Sequence, residues 1–186
     1  SYICVKSISM LNAGVIGAGH LGKIHLKLLN QSDKYNLVGF YDSNPEAAKN
    51  ISEEFGYRSY KTMESLIEDC DMVDVVTPTL YHSDCAKKVL NAGKHLFIEK
   101  PITNTVEEAE NIRALLSVHN LKGQVGHVER FNPAFKAIKY QLKNPMFIEA
   151  HRLAEFNPRG TDVPVVLDLM IHDIDIILSV VKSTVK

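Results

Sequence analysis

A glycine-rich turn stands between a strand pattern and a helix pattern in the first part of the chain. An apolar run at Leu11–Ile16 leads into GAGHLG at residues 17–22, and a helical pattern follows to about Leu29. Glycines permit a tight turn and let backbone N–H groups approach a pyrophosphate at a helix N-terminus. Asp42 ends the next apolar run, where a carboxylate can accept hydrogen bonds from an adenine ribose. This arrangement predicts dinucleotide binding, and glycines that serve only packing are the alternative.

Strand and helix patterns alternate along most of the chain. Further strand patterns lie at residues 37–41, 72–76, 95–98 and 122–125, and helical patterns lie at residues 62–68, 82–92 and 106–119. Helix-end signals support them: Asn44 before Pro45, Gly93, and Thr105 with Glu108. Alternation with short connections predicts an α/β fold with a doubly wound parallel sheet. We expect a dinucleotide-binding domain over residues 1–126 and the beginning of a second domain over residues 127–186.

Composition excludes several classes of protein. With 45% hydrophobic and 23% charged residues, a chain of 186 residues can bury a core, which argues against disorder. A net charge of -1 gives no electrostatic basis for nucleic-acid binding, and no apolar run approaches the ~20 residues that span a membrane. Cys4, Cys70 and Cys85 fit neither a disulfide framework nor a paired metal motif, so we expect a cytoplasmic protein. Residues 1–10 are interpreted as an extension, not a signal peptide.

The helical pattern at residues 165–181 is apolar on nearly every side, which predicts a buried helix. Its polar residues Asp168, His172, Asp175 and Ser179 are spaced to form one stripe. Buried Asp and His need partners, so the stripe is either a structural network or an acid–base pair facing a cofactor cleft. Asp173 is expected to point away from the stripe, toward the helix surface.

A charged segment, Glu99-Lys100-Pro101, directly follows the apolar run at residues 95–98. Doubly wound folds bind ligands at the carboxyl ends of parallel strands. Pro101 restricts the backbone of Lys100 and aims its side chain reproducibly. A solvated surface lysine is the alternative interpretation.

Five segments together resemble the Gfo/Idh/MocA oxidoreductases. They are GVIGAGHLG (14–22), TPTLYH (77–82), NAGKHLFIEKP (91–101), GHVERFNP (126–133) and LDLMIHDID (167–175). The resemblance implies an N-terminal Rossmann domain followed by an α/β domain with a large antiparallel sheet. Most of that second sheet is missing from a chain of this length, so either the chain is a fragment or another chain covers the exposed surface. We expect self-association as a homo-oligomer.

The resemblance also assigns roles to residues. Lys100, Asp168 and His172 would act together in catalysis, and the segment around Thr77 would lie along the cofactor. Asp42 would repel the 2′-phosphate of NADP, so NAD is the expected cofactor. The candidate cofactor-binding residues are Gly17, Gly19, His20, Gly22, Asp42, Thr77, Pro78, His82 and Glu99.

The implied function is hydride transfer between a nicotinamide cofactor and a secondary hydroxyl of a sugar, cyclitol or nucleotide sugar. Segments 126–133 and 159–175 look most like members that act on UDP-N-acetylhexosamines. His172 would take the hydroxyl proton, Lys100 would stabilise the developing alkoxide, and Asp168 would orient the imidazole and favour its charged form. The alternatives are a cofactor-binding sensor on the same fold and a metal-assisted hydrolase.

The remaining polar residues receive weaker assignments. Substrate contact is considered for Arg130, Asn132, Arg152 and Arg159, although Asn132 before Pro133 is equally a helix start. No metal site is predicted, because among His127, His151, His172 and Asp168 only the last two have ligand-like spacing. A strand is expected at residues 147–155. His25 and His119 are interpreted as ordinary helix residues.

Overall fold

The computed structural model describes residues 10–142, 145–153, 163–181 and 183–184. Its centre is a sheet of five parallel strands in the order β2-β1-β3-β4-β5. The strands are β1 (Leu11–Ile16), β2 (Tyr35–Tyr41), β3 (Met72–Val75), β4 (His95–Ile98) and β5 (Gly123–Val125). The predicted α/β fold with a parallel Rossmann-type sheet is confirmed.

Helices connect the strands and extend beyond them. They are α1 (His20–Asn30), α2 (Pro45–Phe55), α3 (Met63–Asp69), α4 (His82–Asn91), α5 (Val106–Val118), α6 (Pro133–Ile138) and α7 (Ile171–Val180). The helix-end signals work as expected: Asn44 caps α2, Thr105 and Glu108 form a reciprocal capping box, and Gly93 has a φ of 73°.

The winding of the sheet reverses beside β1. This strand pairs with β2 on one side and with β3 on the other, so the chain leaves β1 in one direction and later returns to its opposite edge. In such sheets ligands bind in the crevice outside the carboxyl ends of the strands at the reversal. The glycine turn after β1 and the segment that begins at Val76 after β3 border that crevice.

Apolar side chains fill both faces of the sheet. Leu26 of α1 and Ile51 of α2 pack with Phe40 on one face. On the other face, α3, α4 and α5 pack against β3 and β4. Burial of each such side chain contributes about 1.5–3 kcal/mol, which fixes the strand ends that border the crevice. The fully buried members of that second cluster include Leu66, Val73, Val75, Val89, Leu90 and Ile112.

The described chain after Gly126 contains helices and irregular segments, not a second sheet. A 3-10 turn at Val128–Phe131 precedes α6, and a π-helical turn at Val166–Met170 continues into α7. The strand expected at residues 147–155 is not formed over residues 147–153, where no described segment pairs with it; Ala154 and Glu155 lie outside the described residues. The domain boundary at residue 126 stays a prediction.

The expectation of a buried final helix is wrong for this chain. Val165, Met170 and Leu178 are 61%, 48% and 52% exposed, because no described segment packs against that side. Asp175 is the one residue of α7 that is buried. Among the described helices, none combines the length and the hydropathy that crossing a lipid bilayer requires.

Candidate active site

The glycine turn brings two backbone segments close together. Gly17 has a φ of 92°, and a Cβ atom there would lie 2.8 Å from the carbonyl oxygen of Val76. Gly22 lets α1 pack directly against the Gly17 carbonyl. A Cβ at Gly19 would meet nothing within 4 Å, and α1 begins at the next residue, the exposed His20. Free N–H groups of the first helical turn therefore border an open space, as an anion site requires.

The carboxylate of Asp42 stabilises this turn through hydrogen bonds to the backbone. Its Oδ2 accepts the Ala18 N–H at 2.8 Å, and its Oδ1 accepts the Asn44 N–H at 2.9 Å. Each carboxylate oxygen can accept two hydrogen bonds and here accepts one, so both keep acceptor capacity for hydroxyl groups of a ribose. A negatively charged 2′-phosphate in the same place would be repelled.

A cleft of about 500 Å³ lies along these residues. Its volume is within the range of small-molecule and cofactor sites, so the residues present have room for part of a dinucleotide. The Thr77 Oγ1 atom is buried and has no hydrogen-bond partner among the described residues. The cleft is lined by Ile16, Gly17, Gly19, Tyr41, Asp42, Ser43, Met63, Val76, Thr77, Pro78, Tyr81 and Cys85.

The structure corrects the interpretation of His82 as a cofactor contact. His82 is 1% exposed and does not line the cleft. Its Nδ1 lies 2.8 Å from the carbonyl oxygen of Pro101, and its Nε2 lies 2.9 Å from that of Thr77. Both ring nitrogens are therefore engaged by backbone, and His82 ties together the loops that follow β3 and β4.

Lys100 and Asp168 meet at the carboxyl end of β4. The Lys100 Nζ donates to the Asp168 carbonyl oxygen at 2.8 Å and lies 3.1 Å from its Oδ1. The Lys100 side chain is 19% exposed. This contact connects the sheet to the π-helical turn that leads into α7.

His172 does not pair with Asp168, contrary to the expectation that Asp168 orients it and favours its charged form. The carboxylate of Asp168 faces Lys100, and the His172 Nδ1 is buried with no partner among the described residues. The Lys100 ammonium is the physical reason, because a charged donor is a stronger partner for the Asp168 carboxylate than a neutral imidazole. Burial, followed by the charges of Lys100 and Arg152, lowers the pKa of His172. The neutral imidazole can accept a proton.

The other residues of the expected polar stripe have separate partners. Arg130 donates to Asp175 from Nε at 2.6 Å and from Nη2 at 2.5 Å, and the Ser179 hydroxyl donates to the Ile176 carbonyl at 2.7 Å. Asp173, expected at the surface, accepts hydrogen bonds from Arg152 at 2.9 and 2.8 Å. The stripe is thus divided among different contacts.

The structure gives internal partners to most of the candidate substrate residues. Arg130 and Arg152 bind carboxylates of α7, and Asn132 caps α6 by accepting the Ala134 N–H at 3.0 Å. Arg159 lies outside the described residues. The four residues considered for a metal are not brought together: His151 lies 2.7 Å from Glu149, whereas Asp168 binds Lys100. No group of three or more described His, Cys, Asp or Glu side chains is arranged to hold a metal ion.

Sequence reasoning missed His25. Its Nδ1 lies 2.8 Å from Asp74 Oδ2, and its Nε2 lies 3.4 Å from Glu99 Oε1. Burial alone would lower the pKa of His25, but the contacts with Asp74 and Glu99 outweigh burial and raise it to about 9. Asp74 was the available signal, because a carboxylate inside a buried strand requires a partner.

Comparisons with known proteins agree with this geometry. Residues 11–127 match the Gfo/Idh/MocA family, described as an oxidoreductase family with an NAD-binding Rossmann fold. UDP-N-acetylglucosamine 3-dehydrogenase of Acidithiobacillus ferrooxidans is 37% identical over 173 residues, which cover 90% of this chain and 53% of that protein. Inositol 2-dehydrogenase of Rhizobium meliloti is 32% identical over 176 residues, which cover 87% of this chain and 52% of that protein.

A solved structure of the Acidithiobacillus ferrooxidans enzyme has a TM-score of 0.85 at 36% identity, covering 92% of this chain and 56% of that one. The chain spans about half the length of the curated relatives it matches. The matched segments include the glycine turn, Asp42 and Lys100, and they confirm the resemblance drawn from the sequence motifs. The chain belongs to the Gfo/Idh/MocA family of oxidoreductases, which has an NAD-binding Rossmann fold.

Proposed function

We propose that this chain is part of an NAD-dependent dehydrogenase that oxidises a secondary hydroxyl of a sugar, cyclitol or nucleotide sugar. The observation that carries the proposal is the convergence of Lys100, Asp168 and a partly buried His172 with a lowered pKa beside the strand ends that border the glycine cleft. Enzymes that remove a hydroxyl proton need a base whose pKa lies at or below the working pH. His172 meets that condition.

The residues divide the work as follows. A nicotinamide cofactor held in the cleft would supply the hydride acceptor for this reaction. His172 takes the hydroxyl proton, and the Lys100 ammonium stabilises the negative charge that develops on the substrate oxygen. Asp168 holds the Lys100 Nζ in place through its carbonyl and carboxylate oxygens, which replaces the role of orienting the imidazole.

We infer NAD as the cofactor in preference to NADP. The position of the Asp42 carboxylate, braced by two backbone N–H groups at the edge of the cleft, supports this choice. Gly17, Gly19, Gly22 and His20 would surround the pyrophosphate, and Thr77 and Pro78 would line the cofactor. Glu99 is a less direct candidate, because its carboxylate contacts His25 and the Lys100 N–H.

A nucleotide sugar is the substrate class that we favour. The 37% identity to UDP-N-acetylglucosamine 3-dehydrogenase, compared with 32% to inositol 2-dehydrogenase, supports this choice. Self-association is also proposed, because a second copy of the chain would bury the exposed apolar side chains of Val165, Met170 and Leu178. Free Cys70 and Cys85 support a cytoplasmic location; Cys4 lies outside the described residues.

Reduction of NAD by UDP-N-acetylglucosamine and by myo-inositol, in the protein that carries this chain, tests the proposed reaction. We expect turnover with the nucleotide sugar and its loss in His172→Ala, with binding of NADH retained. Binding of NADH without turnover of any sugar would favour the sensor alternative. Turnover that requires a metal and no nicotinamide would favour the hydrolase alternative.

A further inference from the structure

Three charged side chains form a buried cluster beneath Lys100. His25 of α1 lies between Asp74 of β3 and Glu99 at the end of β4. Asp74 is 4% exposed, and the edge of the Phe97 ring lies against the imidazole with centroids 6.0 Å apart. Charges are rarely buried this deeply unless they are paired, and a protonated His25 between the two carboxylates supplies that pairing.

The same Glu99 carboxylate also reaches the candidate catalytic lysine. Glu99 Oε1 faces the His25 Nε2 at 3.4 Å, and Glu99 Oε2 accepts the backbone N–H of Lys100 at 3.0 Å. A Cβ atom on Gly126 would collide with this carboxylate, so the glycine leaves it room. The contact with His25 therefore holds the Glu99 carboxylate in one orientation. In that orientation the carboxylate accepts the Lys100 N–H and holds the Lys100 backbone in place.

We propose that His25 is a positioning residue for Lys100 that acts through the Glu99 carboxylate; its catalytic meaning rests on the proposed dehydrogenase function. Loss of the imidazolium frees Glu99 to rotate, and the Lys100 backbone then loses a fixed acceptor. A displacement of even about 1 Å at a reacting group can cost up to 10²-fold in rate. His25 itself does not touch the Lys100 ammonium in this arrangement; it acts at the backbone.

The surroundings keep His25 charged near neutral pH. The titratable groups that face the same cavity of about 320 Å³ are Tyr35 from β2, Asp74 from β3, Glu99 after β4 and His127 after β5. Burial lowers the pKa of His25, and the two carboxylates reverse this and raise it to about 9. Burial likewise raises the pKa of Glu99, but His25 and the Lys100 N–H outweigh burial and lower it. Near pH 7 both members of the ion pair are charged.

The test is a pH titration of this 186-residue chain by carbonyl-detected NMR, which follows the Lys100 backbone nitrogen without relying on its exchangeable proton. We expect the Lys100 shift to change with the same midpoint as the His25 ring, near pH 9. The change should disappear in His25→Gln and persist in the matched control His119→Gln, because His119 is exposed at the end of α5. Gly126→Ala should displace the Lys100 resonance at every pH.

Two results would overturn the proposal: a His25 ring that titrates while the Lys100 nitrogen does not respond, or an unchanged Lys100 titration in His25→Gln. If His25→Gln fails to fold, the wild-type titration still decides. In the protein that carries this chain, His25→Gln should lower kcat by roughly 10- to 100-fold with the Kd for NADH unchanged. Full turnover in Lys100→Ala would refute the proposed function alone, because the NMR coupling between His25 and Lys100 does not depend on it.

Discussion

The sheet region, Leu11–Val125, and the region after Gly126 differ in what holds their functional residues in place. In the sheet region, apolar side chains bury both faces, and the cleft is shaped by backbone approaches at Gly17 and by the carboxylate of Asp42. In the later region, exposed apolar residues are common, and α7 and the π-helical turn before it are attached through charged pairs. These pairs are Lys100–Asp168, Arg130–Asp175 and Arg152–Asp173.

The difference separates two parts of the candidate site. The cofactor cleft depends mainly on apolar packing and backbone contacts, which salt weakens less than it weakens exposed ion pairs. The position of His172 depends on ion pairs, which are screened by salt and respond to loss of either partner. We therefore expect cofactor binding to survive many changes that abolish catalysis.

The largest effect should come from a matched pair of leucine truncations. Leu66 is 0% exposed and Leu178 is 52% exposed. Leu66→Ala should lower the free energy of unfolding by about 2–5 kcal/mol, because it leaves a cavity in the core. Leu178→Ala should change it by less than about 1 kcal/mol. Urea unfolding followed by circular dichroism measures both, and equal losses would contradict the contrast between the regions.

The buried charge cluster should make stability fall as the pH rises. The pKa of His25 is 6.5 unfolded and about 9 folded. Below pH 6.5 both states hold the proton and the stabilisation is complete; roughly 3 kcal/mol of it is lost as the pH rises through about 9. Urea unfolding at pH 6.5, 7.5 and 9 should show this decline in the wild type and a flatter profile in His25→Gln. Parallel profiles would show that His25 is not stabilised in its charged form.

Removal of the candidate catalytic lysine should separate catalysis from cofactor binding. Lys100→Ala should lower turnover by roughly 10²-fold or more in the protein that carries this chain, because the charge on the substrate oxygen loses its stabilisation. The Kd for NADH should change little. Lys139→Ala, at an exposed position, is the control. A comparable loss of NADH affinity in Lys100→Ala would assign the lysine to the cofactor cleft.

Asp42→Ala should raise the Kd for NADH by about tenfold, because the ribose loses a charged hydrogen-bond acceptor. It should also reduce the preference for NADH over NADPH, because the carboxylate no longer repels the 2′-phosphate. Nicotinamide fluorescence titration measures both Kd values. The control Asp33→Ala, which removes an exposed carboxylate outside the cleft, should leave both Kd values unchanged. Unaltered binding in Asp42→Ala would remove this residue from the cofactor site.

The smallest expected effect concerns the charges around His172. Arg152 is one of the groups that lower the His172 pKa, so Arg152→Gln should raise that pKa slightly. Arg113→Gln, on the exposed face of α5, should not shift it. NMR titration of the His172 ring carbons measures the change, and a lower pKa in Arg152→Gln would contradict the assigned electrostatics.

Most of the sheet region could be predicted because its signals are local. The apolar runs set the strands, and Asn44, Gly93 and Thr105 set helix ends through their own backbone and side-chain chemistry. The glycine turn and Asp42 lie as expected, next to each other at the reversal of the sheet. A resemblance carried by several motifs then identified the family.

The errors concern contacts that depend on distant partners. Spacing along the last helix predicted that Asp168 pairs with His172, but the Asp168 carboxylate binds Lys100, 68 residues away along the chain. His82 is buried and its ring contacts the backbone of two loops. His25 contacts the carboxylates of residues 49 and 74 positions away along the chain. Periodicity shows which face a side chain occupies, but it does not show what lies opposite.

Titration of the folded chain with NADH and with NADPH, followed by nicotinamide fluorescence, tests most directly whether the cleft at the glycine turn is a dinucleotide site. Circular dichroism on the same sample verifies folding. We predict saturable binding that favours NADH over NADPH. Absence of binding by a folded chain, or a preference for NADPH, would contradict the account.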